Sequence, residues 1–350
     1  MQDKELLNES NLLSFLQEKQ LIQSSNTPLK VTQFSNGYSN LTYLLEIEEK
    51  EFVLRRPPLG AIKRGHDMSR EFKVLSNINQ AFTKAPKAFV YTEEEAIIGS
   101  PFYLMEKVEG IILTMGEAKK RNIPATEFKT IANTWMDTFV ELHNVDYEKI
   151  GLGDLGRPDG YVERQVTNWG KQYLKAATMD IPEAEKLMAW MASHQPEKYD
   201  HCLIHNDFKY DNIVFTNDSW QEVNAVLDWE MCTLGDPLMD LGTSIAYWTM
   251  STDHPMIHQG LPSPTSMEGN PGREEVIHLY GEKSGRSIND MVFYYVYGLF
   301  KIATIAQQIF YRYNKGLTSD PKFAHLDKAA QLFCKMAWQA IQKKRVERLF

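Results

Sequence analysis

Three cysteines, Cys202, Cys232 and Cys334, are all that this chain of 350 residues contains. They form no Cys-x-x-Cys pair, and an odd number cannot all pair within one chain, so neither a disulfide scaffold nor a thiolate metal site is expected. A reducing, cytoplasmic setting is the simple expectation. Positive charge is also scarce: 38 Lys and Arg stand against 46 Asp and Glu, a formal net charge of −8. That balance excludes a global field for nucleic acid. No run approaches the roughly 18 apolar residues of a membrane span. The start, MQDKELLNES, is polar and acidic where a secretory signal is basic and then apolar. Internal repeats, low-complexity tracts and a Gly-x-x-x-x-Gly-Lys-Ser/Thr phosphate loop are all missing. The Gly-x-Gly-x-x-Gly at residues 151–156 follows a helical pattern rather than a strand, so it reads as a surface loop. What is present, 43% hydrophobic and 24% charged residues, is ordinary for a globular protein with ample core.

The most informative stretch is residues 202–240, CLIHNDFKYDNIVFTNDSWQEVNAVLDWEMCTLGDPLMD. Apolar runs at 212–215 and 223–227 flank the turn formers of 216–219, a hairpin signal. Asn212 opens the first strand and Asp228 follows the second, so both belong at one end of the hairpin. Neighbouring strands lie about 5 Å apart, a separation that suits two groups sharing a divalent cation. Asp207, just before, adds an oxygen ligand and a potential base. Oxygen donors of this kind suit magnesium, which keeps waters and leans on substrate phosphates. The stretch reads as a site that handles nucleotide phosphates.

Taken in order, residues 3–23 show an amphipathic helical pattern. Strands at 29–34 and 41–47 flank the loop 35–40, whose small residues are suited to turning backbone N–H groups towards phosphate oxygens; Ser39 and Asn40 are its candidates. A third strand, 52–56, ends in Arg55 and Arg56, which alternation sends to opposite faces. Arg55 is the preferred phosphate ligand and Arg56 the fallback. A helix follows at 67–78, with Glu71 near its start. Segments 88–92 and 95–108 form a further hairpin that leads into Gly110. Helical patterns occupy 126–143, 160–178, 182–195, 241–250, 273–283, 289–314 and 323–346. The 151–156 loop is placed to border an acceptor pocket, with Tyr161 and Trp169 beyond it. Residues 251–272, rich in Pro and Gly without periodicity, read as a lid over that pocket or as a mobile insert.

His205-Asn206-Asp207-Phe208-Lys209-Tyr210-Asp211-Asn212 resembles the His-x-Asp-x-x-x-x-Asn catalytic loop of protein-kinase-like enzymes. Asp228-Trp229-Glu230 stands where protein kinases carry Asp-Phe-Gly. Its Trp and Glu, with Gly235-Asp236-Pro237 and Asp240-Leu241, are similar instead to the aminoglycoside phosphotransferase and choline kinase group. The likeness is closest to phosphotransferase domains related to those fused to acyl-CoA dehydrogenases, and it covers roughly residues 25–345.

The resemblance implies an α+β, protein-kinase-like, two-lobed fold. Residues 1–107 would form a small antiparallel-sheet lobe for the nucleotide, and residues 108–350 a large, mainly helical lobe for catalysis and the acceptor. It implies magnesium-dependent transfer of the γ-phosphate of ATP or GTP to a hydroxyl of a small molecule. Asp207 would be the base, Lys209 would neutralise the γ-phosphoryl group, and Asn212 and Asp228 would hold the metal. Arg55, steadied by Glu71, would cover the remaining phosphates with the Ser39–Asn40 loop. Backbone atoms of Glu106 and Val108 would meet the nucleobase. Asp240 and His205 would support the loop. The acceptor stays open between aminoglycosides, choline-like amines, sugars, and hydroxyacyl or CoA compounds; nucleic acid and membrane partners are not expected. Two competitors remain: a metal-dependent hydrolase built on His205, Asp207 and Asp228, and a silent nucleotide-binding module. A protein kinase is disfavoured, because Asp-Trp-Glu replaces Asp-Phe-Gly and no Ala-Pro-Glu segment follows.

Overall fold

Tyr43, Leu45 and Ile47 alternate with less buried neighbours along Leu41–Ile47, and their burial sets one face of a sheet. In the computed structural model, which describes residues 7–34, 40–58, 67–318 and 320–350, the chain falls into two compact units. The first holds residues up to 109 together with 149–152 and 224–232; the second holds 110–148, 153–223 and 233–350.

The first unit begins with helix α1 (Glu9–Glu18), capped by the Asn8 side chain, which accepts from the Asn11 N–H. Strands β1 (Leu29–Gln33), β2 (Leu41–Ile47) and β3 (Lys50–Arg56) precede helix α2 (Met68–Ile78), and strands β4 (Ala88–Thr92) and β5 (Phe102–Glu106) follow it. They make an antiparallel sheet of order β1-β2-β3-β5-β4. Leu12, Leu13, Phe15 and Leu16 of α1 join Leu45, Ile47, Leu54 and Phe102 in one core. The helix is shorter than the 3–23 pattern: the chain turns at Gln20, which has a φ of +58°. The 95–108 segment is likewise not all strand. Residues Glu95–Ile98 form a helical turn that ends on Gly99 at φ +82°, where the missing Cβ permits the left-handed turn. Asp67 caps α2 by accepting from the Ser69 and Arg70 N–H groups, which places Glu71 in the first turn.

The second unit is mainly helical: α3 (Phe128–His143), α4 (Tyr161–Ala176), α5 (Pro182–Ser193), α6 (Pro237–Tyr247), α7 (Arg273–Ser284), α8 (Met291–Asn314) and α9 (Leu326–Lys343). Strand β6 (Cys202–Ile204) pairs antiparallel with Thr233–Gly235, and β7 (Ile213–Phe215) with Ile111–Ile112. The turn after β7 closes with the Thr216 N–H donating to Glu222 C=O at 3.0 Å, which agrees with the hairpin pattern. Helices α6 and α8 approach closely through glycine. A Cβ at Gly242 would stand 2.3 Å from the Tyr294 carbonyl oxygen, and one at Gly298 would stand 2.3 Å from that of Gly242.

Residues 251–272 carry structure of their own, a helix at Pro255–Gly260 and a helical turn at Pro264–Ser266. Trp248 Nε1 donates to Pro271 C=O at 3.0 Å, and the Tyr210 hydroxyl donates to Asn270 Oδ1 at 3.2 Å. These bonds tie the C-terminal end of the segment into the unit. The antiparallel sheet of the N-terminal region and the helices of the C-terminal region give the expected α+β class, in a protein-kinase-like fold.

Candidate active site

Alternation along β3 sends Arg55 and Arg56 to different fates. Arg56 is buried; its Nη1 donates to Ile98 C=O at 3.0 Å and its guanidinium lies 5.9 Å from the Tyr43 ring centre. It is part of the core, so the fallback role does not fit it. Arg55 instead gathers carboxylates. Its Nη1 donates to Glu71 Oε1 at 3.0 Å, and its Nη2 lies 2.7 Å from Asp228 Oδ1 and 2.8 Å from Glu230 Oε2. Asn40 Nδ2 donates to the same Glu230 oxygen at 2.8 Å. Asp228 sits at φ +66°, a left-handed conformation rare for a side-chain-bearing residue and characteristic of built sites. Glu71 is deeply buried. Burial pushes its carboxyl up against the pull of the Arg55 guanidinium. One guanidinium faces three carboxylates, of which Asp228 is the most open with 34% of its side chain exposed. Ser39 lies outside the described residues.

Glu106 and Val108 border a cavity of about 440 Å³ with Leu75, Ser76, Lys87 and Asn224. The Glu106 N–H donates to Lys87 C=O at 2.9 Å, and its carboxylate accepts from the Lys87 N–H at 3.0 Å. That N–H is therefore already committed within the sheet.

In the second unit, residues 205–212 leave β6 as a loop and turn into β7. Asp207 Oδ2 accepts from Asn212 Nδ2 at 2.8 Å and lies 3.1 Å from Lys209 Nζ. Both contacts fall on Oδ2; Oδ1 carries no hydrogen bond among the described residues. Burial alone would lower the Lys209 ammonium, but Asp207 and Tyr247 hold it above its ordinary value, and Nζ rests 4.9 Å from the Tyr247 ring centre. Asn212 also donates to Asp207 C=O at 2.9 Å. Spending Nδ2 twice on Asp207 leaves the amide oxygen as the atom Asn212 has to offer.

The loop is held from beneath. Asp240, in the first turn of α6 and fully buried, accepts from the His205 N–H at 2.6 Å and the Asn206 N–H at 2.8 Å. His143 Nε2 lies 3.2 Å from the same carboxylate, and His143 Nδ1 2.8 Å from the Tyr280 hydroxyl. Burial would raise the Asp240 carboxyl, but these partners hold it below its ordinary value; burial likewise pushes His143 down. His205 is fully buried, and its Nδ1 accepts from the Asp207 N–H at 3.3 Å. Tyr161 and Trp169 are buried too, and the Tyr161 hydroxyl touches the Asn206 amide. Tyr161 therefore packs against the 205–212 loop.

Magnesium would require oxygen donors and room for phosphate oxygens. An amide oxygen, as on Asn212, and a carboxylate, as on Asp228, are each donors of that kind. Among the described residues no group of three or more His, Cys, Asp or Glu stands close enough to hold a metal ion. Three contributors escape a reading of the sequence. Glu230 stands in the Asp-Trp-Glu triplet without an assigned role, His143 supports Asp240 from 97 residues away, and Lys301 is a lone charge in the apolar run of α8. The last had a signal, since lysine is almost never fully buried unless paired.

Residues 30–264 match the phosphotransferase enzyme family. Acyl-CoA dehydrogenase family member 10 of Mus musculus is 31% identical over 325 residues, covering 91% of this chain and 30% of that protein. The chain thus spans about a third of the length of the curated relatives it matches. A crystal structure of a proposed aminoglycoside phosphotransferase from Ralstonia eutropha JMP134 superposes with a TM-score of 0.79 at 30% identity, covering 97% of this chain and 99% of that one. A thermostable mutant of the aminoglycoside phosphotransferase APH(4)-Ia, solved with AMP-PNP and hygromycin B, shares the fold at a TM-score of 0.58 and 16% identity, over 93% of this chain and 97% of that one. No helix among the described residues is long and apolar enough to cross a membrane. With the sheet, the loop of residues 205–212 and these likenesses together, the chain belongs to the phosphotransferase enzyme family.

Proposed function

We propose that this phosphotransferase moves the γ-phosphate of ATP or GTP to a hydroxyl group of a small molecule. The observation that carries the reading is Asp207, whose Oδ2 is fixed by Asn212 at 2.8 Å and Lys209 at 3.1 Å while Oδ1 carries no bond among the described residues. A carboxylate pinned by one oxygen is set to accept a proton on the other. Asp207 takes or orients the acceptor proton as the hydroxyl oxygen attacks phosphorus. The Lys209 ammonium, charged at any working pH, meets the negative charge of the γ-phosphoryl group. Arg55, fixed by Glu71, covers the other phosphates, with Ser39 and Asn40 assigned to the same task. Asn212 and Asp228 would supply oxygen donors to magnesium, which when bound would neutralise charge on the phosphate oxygens. Backbone atoms of Glu106 and Val108 take the nucleobase; at Glu106 this role falls to the carbonyl.

His205 offers little to a hydrolase: it is fully buried and spends Nδ1 on the Asp207 N–H. For the acceptor, the similarity to a protein named as an acyl-CoA dehydrogenase family member favours a hydroxylated acyl group or CoA derivative over an antibiotic. The domain division assigned to these roles is residues 1–107 for the nucleotide and 108–350 for the acceptor, in a cytoplasmic protein. The test is nucleotide consumption by purified protein with magnesium against aminoglycosides, choline-like amines, sugars, and hydroxyacyl and CoA compounds. Turnover with one acceptor class, abolished by Asp207→Ala, is the expected result. Binding of nucleotide without turnover for any acceptor would leave a silent module in its place.

A further inference from the structure

Lys301 lies within Gly298-Leu299-Phe300-Lys301-Ile302-Ala303 of α8 and is 1% exposed. Its Nζ donates to the backbone C=O of Asn206 at 2.8 Å, lies 3.4 Å from Asn206 Oδ1, and stands 5.8 Å from the ring centre of Trp169 on α4. Burial pushes the ammonium down to about 8, with Lys209 adding to the fall and Asp207 and Asp240 opposing it. It therefore keeps its proton at neutral pH. No exposed function explains a charge placed there; the contact with Asn206 does.

Asn206 is the residue before Asp207 and holds φ at +67°, a left-handed conformation that L residues adopt at a cost. Its two peptide groups are gripped from opposite directions. Its N–H is held by Asp240 at 2.8 Å. Its C=O belongs to the same planar peptide as the Asp207 N–H, and that plane is held at one end by Lys301 and at the other by His205 Nδ1 at 3.3 Å. Fixing this plane fixes the direction in which the Asp207 side chain leaves the backbone. Lys301 reaches the loop because α6 and α8 close to backbone contact at Gly242 and Gly298, one turn before it.

We infer that Lys301 is a positioning residue, clamping the Asn206–Asp207 peptide so that the Asp207 carboxylate is presented to the acceptor hydroxyl. The inference rests on the phosphotransfer reading of Asp207 for its consequence, not for the clamp itself. Lys301 touches neither nucleotide nor acceptor in this role.

Two variants of the full chain test it: Lys301→Met, which removes the donor at similar length, and Lys301→Arg, which restores one. In Lys301→Met, amide hydrogen exchange of residues 205–207 rises about 10-fold, as expected for one lost charge-assisted hydrogen bond, while α6 and α8 keep wild-type protection. Where nucleotide turnover is measurable, kcat falls about 10²-fold with the nucleotide KM unchanged, the signature of a misplaced reacting group. Lys301→Arg recovers most of both. Wild-type exchange of the loop in Lys301→Met overturns the clamp, and so does a loss shared equally by α6 and α8, which marks a core defect. If the Met variant fails to fold, Lys301→Gln, which keeps a neutral amide donor without the charge, is compared with Lys301→Arg by the same readouts. Absence of turnover in the wild type with every acceptor removes the phosphotransfer reading alone, since the exchange data still decide the clamp.

Discussion

Arg55 Nη2 lies 2.7 Å from Asp228 Oδ1 and 2.8 Å from Glu230 Oε2, while Nη1 of the same guanidinium holds Glu71 at 3.0 Å. An arginine forks where a lysine carries a single point of charge. The fork lets one residue hold the α2 carboxylate and the Asp-Trp-Glu triplet at once. This explains why strand β3 carries arginine here and why the triplet ends in glutamate: the second nitrogen has a second partner.

Arg55→Met leaves Glu71 buried without a counter-charge, a loss of about 3–5 kcal/mol by analogy with other broken buried pairs. Urea unfolding at neutral pH reads it directly. The sign of its pH dependence follows from burial, which already raises the Glu71 carboxyl. Acidification protonates the unpaired Glu71 and removes the buried charge, so the gap between variant and wild type narrows as pH falls. A gap that stays constant from neutral to acid would mean that Glu71 is not the group left unpaired.

Asp207→Asn keeps the size of the side chain and removes its basicity. The expected outcome is a fall in kcat of about 10²–10⁴-fold, with magnesium-nucleotide affinity and melting temperature close to wild type. Equilibrium nucleotide binding alongside turnover separates this from a folding defect. Unchanged kcat would remove Asp207 from the base role.

How much of this was legible beforehand depends on the range of the interaction. The strands around residues 41–56, Glu71 in the first turn of its helix, and the hairpin after Asn212 are local patterns, and each is present. The separate destinations of Arg55 and Arg56 follow from strand alternation alone. Contacts across long stretches of chain were not legible: Lys301 to Asn206 spans 95 residues and His143 to Asp240 spans 97. No periodicity encodes such a pairing. The length of α1 was overestimated for a related reason, because apolar spacing continues to Ile22 while the backbone turns at Gln20.

Gly298→Ala introduces a Cβ 2.3 Å from the Gly242 carbonyl oxygen and 2.9 Å from Ala246 Cβ. A backbone oxygen cannot rotate away as a side chain does, so α6 and α8 must separate. Overpacking of this kind costs about 1–3 kcal/mol, read as a lower denaturant midpoint. The same separation draws Lys301 from Asn206, so amide exchange of residues 205–207 should rise with it. A variant as stable as wild type would show that the two helices have slack the close approach denies.

Asp236 caps α6, accepting from the Leu238 N–H at 2.8 Å, and is fully buried with Tyr294 beside it. Burial pushes its carboxyl from an ordinary 3.8 up to about 7. Between those values the folded state keeps a proton that the unfolded chain has released, so the unfolded state is favoured increasingly as pH rises from about 4 to 7. The contribution is fully lost above the folded value, and a displacement of roughly three units corresponds to about 4 kcal/mol as an upper bound. Asp236→Asn retains an oxygen to accept from the helix N–H, and asparagine caps helices as well as aspartate does. It has nothing to ionise. The variant should match wild type in denaturant stability near pH 4 and exceed it at pH 8, the difference opening across the interval between. Parallel profiles for the two proteins would show that Asp236 ionises freely in the folded state, and that its burial is relieved by water or by the Tyr294 hydroxyl.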